Sequence, residues 1–252
     1  MIEELINSVE KSLIQAQLGI SKLDKAIFFL NGMSSPKIRQ FLNNLCERPK
    51  TAYLETGCWR GSTLVSALYN NHTTVSEAIA IDNFSEFQTP NADGSLYNVN
   101  PLINMLDKDG RKFFLTSMTP KQELLHKTGY FLQAKPDHYD FYDGDCFSSQ
   151  TLETLKTKHG DTRINTYLYD GAHDSDSQYK AFADYDFILD QHFIAIVNDW
   201  NAKRVKSGTH KAFDKLGYKV KKDWHMPSRG NGDIDNWWNG LYVAVVQKSQ
   251  LN

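Results

Sequence analysis

The stretch Thr51-Ala52-Tyr53-Leu54-Glu55-Thr56-Gly57-Cys58-Trp59-Arg60-Gly61-Ser62-Thr63 decides the fold of this chain. An apolar run that favours a β-strand leads to the carboxylate of Glu55 and to two glycines, Gly57 and Gly61, before a helical pattern begins. Glycine lets the backbone turn sharply and approach a ligand closely, and the first turn of a helix offers N–H groups without intrahelical partners. The stretch therefore predicts a strand, a loop and a helix that hold a nucleotide.

A second apolar run, Ala78-Ile79-Ala80-Ile81-Asp82, ends in an acid at the place where the second strand of a βαβ unit should finish. A G-x-x-x-G spacing alone is compatible with many turns, so this acid gives the pattern its weight. We expect the Asp82 carboxylate to accept hydrogen bonds from the hydroxyls of a ribose.

Strand and helix patterns alternate after the first fifty residues. Strands are expected near 51–56, 77–82, 139–143, 164–170 and 193–198, and helices near 62–70, 120–131, 148–159, 175–188 and 203–216. This alternation is typical of a parallel sheet with helices on both faces. The runs 218–224 and 240–246 have no helical pattern between them, which predicts an antiparallel hairpin. The expected fold is α/β, a doubly wound, mostly parallel seven-stranded sheet that closes with this hairpin.

Two further segments complete the organisation. Residues 1–48 form an N-terminal helical extension, with apolar side chains at helical spacing in 2–18 and 35–46, and residues 49–252 form the nucleotide-binding domain. The extension could cover a cofactor, form a homo-oligomer or cap the sheet. An irregular insertion at about 85–120 would follow the second strand, either as a substrate wall or as a surface loop without a role.

The composition excludes several classes of function. With 252 residues, 40% hydrophobic and 23% charged, the chain can bury a full-sized core. Its formal net charge of −2 and scattered Lys and Arg residues offer nucleic acid no basic stripe, so a small-molecule substrate is expected. Three cysteines are too few for a disulfide framework, and the sequence has no signal-peptide or membrane-span pattern. We expect a cytoplasmic protein that contacts no membrane.

Four motifs then follow in order over roughly residues 50–200: Glu55-x-Gly57-x-x-x-Gly61, Asp82, Gly144-Asp145-Cys146-Phe147 and Asp170-Gly171-Ala172-His173. In this order they resemble the class I S-adenosylmethionine-dependent methyltransferases, in which the doubly wound sheet also closes with a hairpin. Tyr169-Asp170-Gly171-Ala172-His173 followed by Ile196-Val197-Asn198-Asp199-Trp200 looks most like the macrocin-type O-methyltransferases of sugars and macrolides, which are often Mg²⁺-dependent.

The resemblance implies S-adenosylmethionine as cofactor. Glu55 and the glycine loop would hold its methionine part, Asp82 its ribose, and the motif that begins at Gly144 would border its adenine. The implied cofactor-binding residues are Glu55, Gly57, Arg60, Gly61, Ser62, Asp82, Asn83, Asp145, Cys146, Phe147 and Asp170.

His173, with Asp170, is the candidate for catalysis. Methyl transfer to an alcohol requires alignment of the nucleophile and removal of its proton, and an imidazole with a pKa near neutrality suits the second task. A histidine in this polar loop could instead be a surface residue or a cap of the helix that begins near Ser175.

Asp170, Asn198 and Asp199 are the candidate metal ligands. Asp170 and Asp199 end adjacent strands, so their carboxylates are expected to meet, and with the amide oxygen of Asn198 or Asn201 they suit Mg²⁺. Where this chain has Asn198-Asp199, the O-methyltransferases that it resembles tend to carry two adjacent acids. In the alternative without metal, Asp170 binds the amino group of the cofactor and Asp199 orients His173.

The tryptophans are a further signal. Trp59 and Trp200 flank the glycine loop and the fifth strand, and Trp224, Trp237 and Trp238 belong to the closing hairpin. Flat aromatic faces beside polar groups suit a sugar, although tryptophan more often packs in a core. Trp237 and Trp238, adjacent in a strand, would point to opposite faces, so we expect one of them to be buried.

The resulting prediction is an S-adenosylmethionine-dependent O-methyltransferase that acts on a hydroxyl of a sugar, a glycan precursor or a glycosylated natural product. Two alternatives remain, an N-methyltransferase of a small molecule and a catalytically silent S-adenosylmethionine-binding protein. A nicotinamide dehydrogenase fits the glycine spacing and the closing hairpin badly.

Overall fold

The computed structural model describes residues 1–85, 98–115, 117–133 and 139–249, which form a sheet with helices on both faces. The strands are β1 (Thr51–Thr56), β2 (Val75–Asp82), β3 (Asp140–Asp143), β4 (Ile164–Tyr169), β5 (Leu189–Val197), β6 (Lys219–Met226) and β7 (Leu241–Gln247). Their order is β3-β2-β1-β4-β5-β7-β6. β7 runs antiparallel to β5 and β6, and the other neighbouring pairs are parallel. The predicted fold, a Rossmann-like methyltransferase sheet with a closing hairpin, is confirmed.

The helices of the described residues begin close to the predicted positions, except one, Lys108–Phe114, which lies in the predicted insertion. They are α1 (Ile2–Gln17), α2 (Pro36–Leu45), α3 (Ser62–Leu68), α4 (Lys108–Phe114), α5 (Pro120–Phe131), α6 (Ser149–His159), α7 (Ser175–Ala183) and α8 (Lys203–Leu216). Side-chain caps fix several of these starts; Thr119 and Gln122, for example, form a reciprocal capping box at α5. None of these helices is both long and apolar enough to cross a membrane.

The N-terminal extension is part of the main core. α1 buries Leu5, Val9 and Leu13, which recur every four residues on one face, against α2 and one face of the sheet. Each such side chain stabilises the docked helix by roughly 1.5–3 kcal/mol before entropy is counted. α6, α7 and α8 cover the opposite face. α1 and α2 therefore cover one face of the sheet.

Two boundaries differ clearly from the prediction. α7 ends at Ala183 rather than near 188, and β5 already begins at Leu189 rather than near 193. A tight turn explains both, since the amides of Ile188 and Leu189 donate to the carbonyl of Tyr185 and direct the chain into the sheet. The polar residues early in β5 hide its start from an apolar pattern.

The insertion predicted at about 85–120 falls partly on 86–97 and on 116, so its Pro90, Asn91, Asp93 and Gly94 lie outside the described residues. Its described part is more regular than expected, because it holds a 3₁₀ helix, Pro101–Met105, and α4. α4 buries none of its residues. Its role as a substrate wall stays a prediction.

The prediction for Trp237 and Trp238 is wrong. Both lie in the connection between β6 and β7 rather than in a strand, and each is 6% exposed. Trp238 has a left-handed backbone with φ +55°, which breaks the alternation of a strand and lets both indoles turn inward.

A buried arginine fixes the loop between α1 and α2. The Arg39 side chain is fully buried and donates to the hydroxyl of Ser34 and to the carbonyls of Ile27, Phe28, Leu30 and Gly32. Because five acceptors converge on one guanidinium, the segment that leads to Met33 is held in place beside the carboxyl ends of the strands.

Candidate functional site

A cavity of about 260 Å³ lies at the carboxyl ends of the parallel strands, beside the point where β1 and β4 pair. This is the crevice in which open α/β sheets bind ligands. Most of the sequence-predicted site residues line it, namely Gly57, Arg60, Ser62, Asp82, Asn83, Asp145, Cys146, Phe147, Asp170, His173, Asn198 and Asp199.

Glu55 and Gly61 do not line the cavity, in contrast to the expectation that they contact a cofactor. Glu55 is fully buried one layer beneath it, where the hydroxyls of Tyr53 and Thr63 donate to its two carboxylate oxygens. Burial raises the pKa of Glu55 to about 7, against the opposing effect of these hydrogen bonds. Gly61 is the N-cap of α3 with φ +78°, and it packs against Leu124. Both residues support the loop between β1 and α3, residues 57–61, which we call the nucleotide loop after the role predicted from the sequence.

The nucleotide loop and Asp82 are held to each other. The backbone amide of Trp59 donates to Oδ2 of Asp82 at 2.6 Å, and that of Phe84 donates to Oδ1 at 2.6 Å. Trp59 and Phe84 both have positive φ, 40° and 51°, so this carboxylate stabilises two backbone conformations that side chains disfavour. The Asp82 side chain is therefore fixed on the wall of the cavity.

Arg60 lines the cavity, but its guanidinium is already paired within the protein. Its guanidinium, 4% exposed, pairs with Glu123 of α5, and Lys127 pairs with the same carboxylate at 2.7 Å. Lys127 also donates to the carbonyls of Arg60 and Asn31, and burial lowers its pKa to about 8. The buried network thus ties α5 to the nucleotide loop.

The segment after β3 forms another wall. Oδ1 of the exposed Asp145 accepts the amide of Phe147 at 2.9 Å, and the carbonyl of Cys146 accepts the Tyr185 hydroxyl at 2.8 Å. The half-buried ring of Phe147 lies 6.3 Å from that of Tyr169. These contacts present an aromatic face and a carboxylate to the cavity.

Asp170, His173 and Asp199 form a cluster of titratable side chains at the cavity, which we call the acidic group. One ligand atom of each lies within 4.8 Å of the others. Nε2 of His173 is 3.5 Å from Oδ2 of Asp199, and Asn198 donates from Nδ2 to Oδ1 of Asp170 at 2.9 Å. Burial, and next the charge of Asp199, raise the pKa of Asp170 well above its usual range. Two carboxylates forced together in this way favour the binding of a cation.

Two polar atoms at this group are buried and have no hydrogen-bond partner among the described residues. They are Oδ1 of Asn198 and Nδ1 of His173. A buried polar atom without a partner costs about 1–3 kcal/mol, so native structures usually supply one. An amide oxygen and a ring nitrogen beside two carboxylates can receive a metal ion, an ammonium group or a hydroxyl.

Several lining residues have no signal in the sequence analysis. Met33 comes from the loop before α2, Ser177 from the first turn of α7, and Asn239 from the connection between β6 and β7. Asn239 donates to Oδ1 of Asp199 at 2.8 Å. The dipeptide Asn239-Gly240 indicates a turn, but only long-range packing brings it to the site.

The tryptophans divide between site and core. Trp59 and Trp238 line the cavity. Trp200 is buried and stacks on Tyr242 with ring centres 4.0 Å apart, and Trp237 packs edge-on against Phe41.

The chain is similar to known proteins in its fold and not in its sequence. No family model and no curated protein matches the sequence. The O-methyltransferase TomG from Streptomyces achromogenes, involved in tomaymycin synthesis and solved with S-adenosylmethionine, matches with a TM-score of 0.56 and 13% identity over 97% of this chain and 99% of TomG. The O-methyltransferase from Bacillus cereus, solved with S-adenosylhomocysteine, matches with a TM-score of 0.51 and 11% identity over 96% of this chain and 91% of that one.

A Streptococcus mutans protein proposed to be an S-adenosylmethionine-dependent methyltransferase matches with a TM-score of 0.50 and 14% identity over 84% of this chain. The chain spans about half of that protein, 48% of its length. At these identities the three likenesses establish the methyltransferase fold.

Replacement of Glu55 by Gln should remove a pH dependence of stability. The pKa of Glu55 in the folded chain, about 7, lies above the ordinary value of 4.5, so ionisation destabilises the native state. This cost is absent below pH 4.5, grows as the pH rises and is complete above pH 7, where it is on the order of 3 kcal/mol. Urea unfolding at several pH values should show E55Q gaining that much stability relative to wild type as the pH rises.

Glu153→Gln, an exposed change on α6, is the control and should leave the pH profile unchanged. Parallel profiles for wild type and E55Q would mean that Glu55 is ionised at its ordinary pKa.

Proposed function

We propose that the chain is an S-adenosylmethionine-dependent O-methyltransferase whose acceptor is a hydroxyl of a sugar, a glycan precursor or a glycosylated natural product. The observation that carries the proposal is the pairing of His173 with Asp199 on the wall of the cavity that Asp82 also lines. A fixed carboxylate for a ribose and a candidate base for a hydroxyl thus share one crevice of a methyltransferase fold.

The residues present fit the cofactor. Asp82, held by two backbone amides, can accept the vicinal ribose hydroxyls, and Phe147 offers a flat face to the adenine. The wall is acidic: among the described lining residues Arg60 is the only Lys or Arg, and Glu123 already pairs with it. Such a wall favours a ligand that carries an ammonium and a sulfonium charge. Bound there, S-adenosylmethionine would supply the electrophilic methyl group.

His173 would act as the general base. With Nε2 directed to Asp199, its other nitrogen, Nδ1, is the buried atom without a partner and would take the proton of the acceptor hydroxyl. Asp199 would stabilise the imidazolium that forms, as the carboxylate does in a Ser-His-Asp triad. The pair favours an oxygen acceptor, because a neutral amine attacks without prior loss of a proton.

The same group fits Mg²⁺. The carboxylates of Asp170 and Asp199 and the unpartnered Oδ1 of Asn198 form an oxygen set of the kind that Mg²⁺ binds. The ion would lower the pKa of a coordinated hydroxyl. A cation there would also relieve the repulsion that raises the pKa of Asp170. Our proposal therefore includes Mg²⁺ assistance.

Asp82→Ala should weaken the binding of S-adenosylhomocysteine roughly 10- to 100-fold, because charge-assisted hydrogen bonds to the ribose are lost. Isothermal titration calorimetry measures this effect. Asp143→Ala is the matched control, since Asp143 ends β3 as Asp82 ends β2 but does not line the cavity. Equal affinity of wild type and D82A would remove Asp82 from the cofactor site.

His173→Ala should retain the affinity for S-adenosylhomocysteine and lose about 10²- to 10⁴-fold in turnover, the usual contribution of a general base. The measurement is transfer of a labelled methyl group to a panel of sugar and glycoside acceptors. His126→Ala, an exposed change on α5, should behave as wild type. Full turnover by H173A would mean that another group removes the proton of the acceptor hydroxyl.

Removal of metal ions by a chelator should show whether Asp170 and Asp199 act with Mg²⁺ or without it. If Mg²⁺ assists, EDTA lowers the turnover of wild type and added Mg²⁺ restores it, because the hydroxyl is then less acidic without the ion. Turnover that is unchanged by EDTA would leave the His173–Asp199 pair acting without metal.

A further inference from the structure

Asn239 has an amide whose orientation the structure determines. The backbone amide of Gly232 lies 2.7 Å from Oδ1 of Asn239, and the other amide atom, Nδ2, lies 2.8 Å from Oδ1 of Asp199. A backbone N–H can only donate, so the oxygen of the Asn239 amide must face Gly232 and its NH₂ group must face Asp199. Asn239 is therefore a fixed hydrogen-bond donor to Asp199.

The backbone around Asp199 depends on the same segment. Asp199 has φ +56°, a left-handed conformation that persists only where its surroundings impose it. The amide of Trp200 donates to the carbonyl of Gly240 at 3.1 Å, and that of Asn201 donates to the carbonyl of Asn239 at 3.0 Å. The connection between β6 and β7 thus frames both the backbone and the carboxylate of Asp199.

The order of the strands places this connection opposite the nucleotide half of the cavity. Asp82 and Phe147 follow β2 and β3 on one side of β1, whereas Asp199 follows β5 and Asn239 precedes β7 on the other side. Trp238, the neighbour of Asn239, also lines the cavity. With the cofactor bound on the side of Asp82 and Phe147, the segment that holds Asp199 would face the acceptor.

We propose that Asn239 is a positioning residue for methyl transfer. By holding Oδ1 of Asp199, its amide keeps Oδ2 directed at Nε2 of His173, so that the ring nitrogen left without a protein partner is Nδ1, the candidate proton acceptor. The inference rests on the proposed function, and it makes the closing hairpin part of the catalytic apparatus as well as of the fold.

Asn239→Asp tests the idea with little change of shape. The new carboxylate can still accept the amide of Gly232, but it replaces the donor to Asp199 with a like charge. We expect the turnover number to fall roughly 10- to 100-fold, the effect of one charge-assisted hydrogen bond. The melting temperature, the affinity for S-adenosylhomocysteine and the KM for the acceptor should stay near the wild-type values.

Asn236→Asp is a control from the same connection. Asn236 also donates from Nδ2 to a carboxylate, that of Asp233, at 2.9 Å, but it does not line the cavity, and Lys37 lies 3.2 Å from its Oδ1. N236D therefore makes the same change of charge and should turn over as wild type does. Equal losses in N236D and N239D, or wild-type turnover by N239D, would overturn the proposal.

Crystal structures of wild type and N239D give a readout that is independent of activity. We expect the Asp199 carboxylate of N239D to turn away from His173. An unmoved carboxylate would contradict the positioning role even if the enzyme is active. If the carboxylate is displaced in N239D but the wild-type chain transfers no methyl group, Asn239 does position Asp199 and the proposed O-methyltransferase activity is wrong.

Discussion

The backbone of Gly57 passes so close to the end of β4 that no side chain fits between them. A Cβ on Gly57 would lie 2.2 Å from the carbonyl oxygen of Asp170, and the φ of Gly57 is +90°. This contact joins the nucleotide loop after β1 to the segment that carries Asp170 and His173. Because the two are in van der Waals contact, the walls that suit an adenosyl group and the candidate base face one cavity.

The charges around that cavity are arranged unevenly. Arg60 and Lys127 are drawn toward Glu123 on α5, whereas Asp82, Asp170 and Asp199 face the cavity. Buried ion pairs contribute little net stability, and clustered carboxylates repel each other, so stability alone does not explain the arrangement. It does fit a cationic ligand, whose binding offsets the repulsion within the site.

The rule that parallel strands end at one edge predicted that Asp82, Asp170 and Asp199 share a site, and the structure brings all three to it. The rule could not place Glu55, because β1 is buried on both faces and its sequence does not reveal which side chains reach the edge. The rule also could not predict that Asn239 lies at the site. Its approach depends on how the hairpin connection folds back, which no local periodicity encodes.

Two amides set the chemistry of the acidic group. Asn198 donates to one oxygen of Asp170, and Asn239 donates to one oxygen of Asp199. Each carboxylate is therefore stabilised by an uncharged hydrogen-bond donor. A third acid in place of Asn198 would add charge where burial already raises the pKa of Asp170. With an amide there, the group carries at most two negative charges. One bound Mg²⁺, or the positive charges of the sulfonium cofactor together with the imidazolium of His173, would balance them.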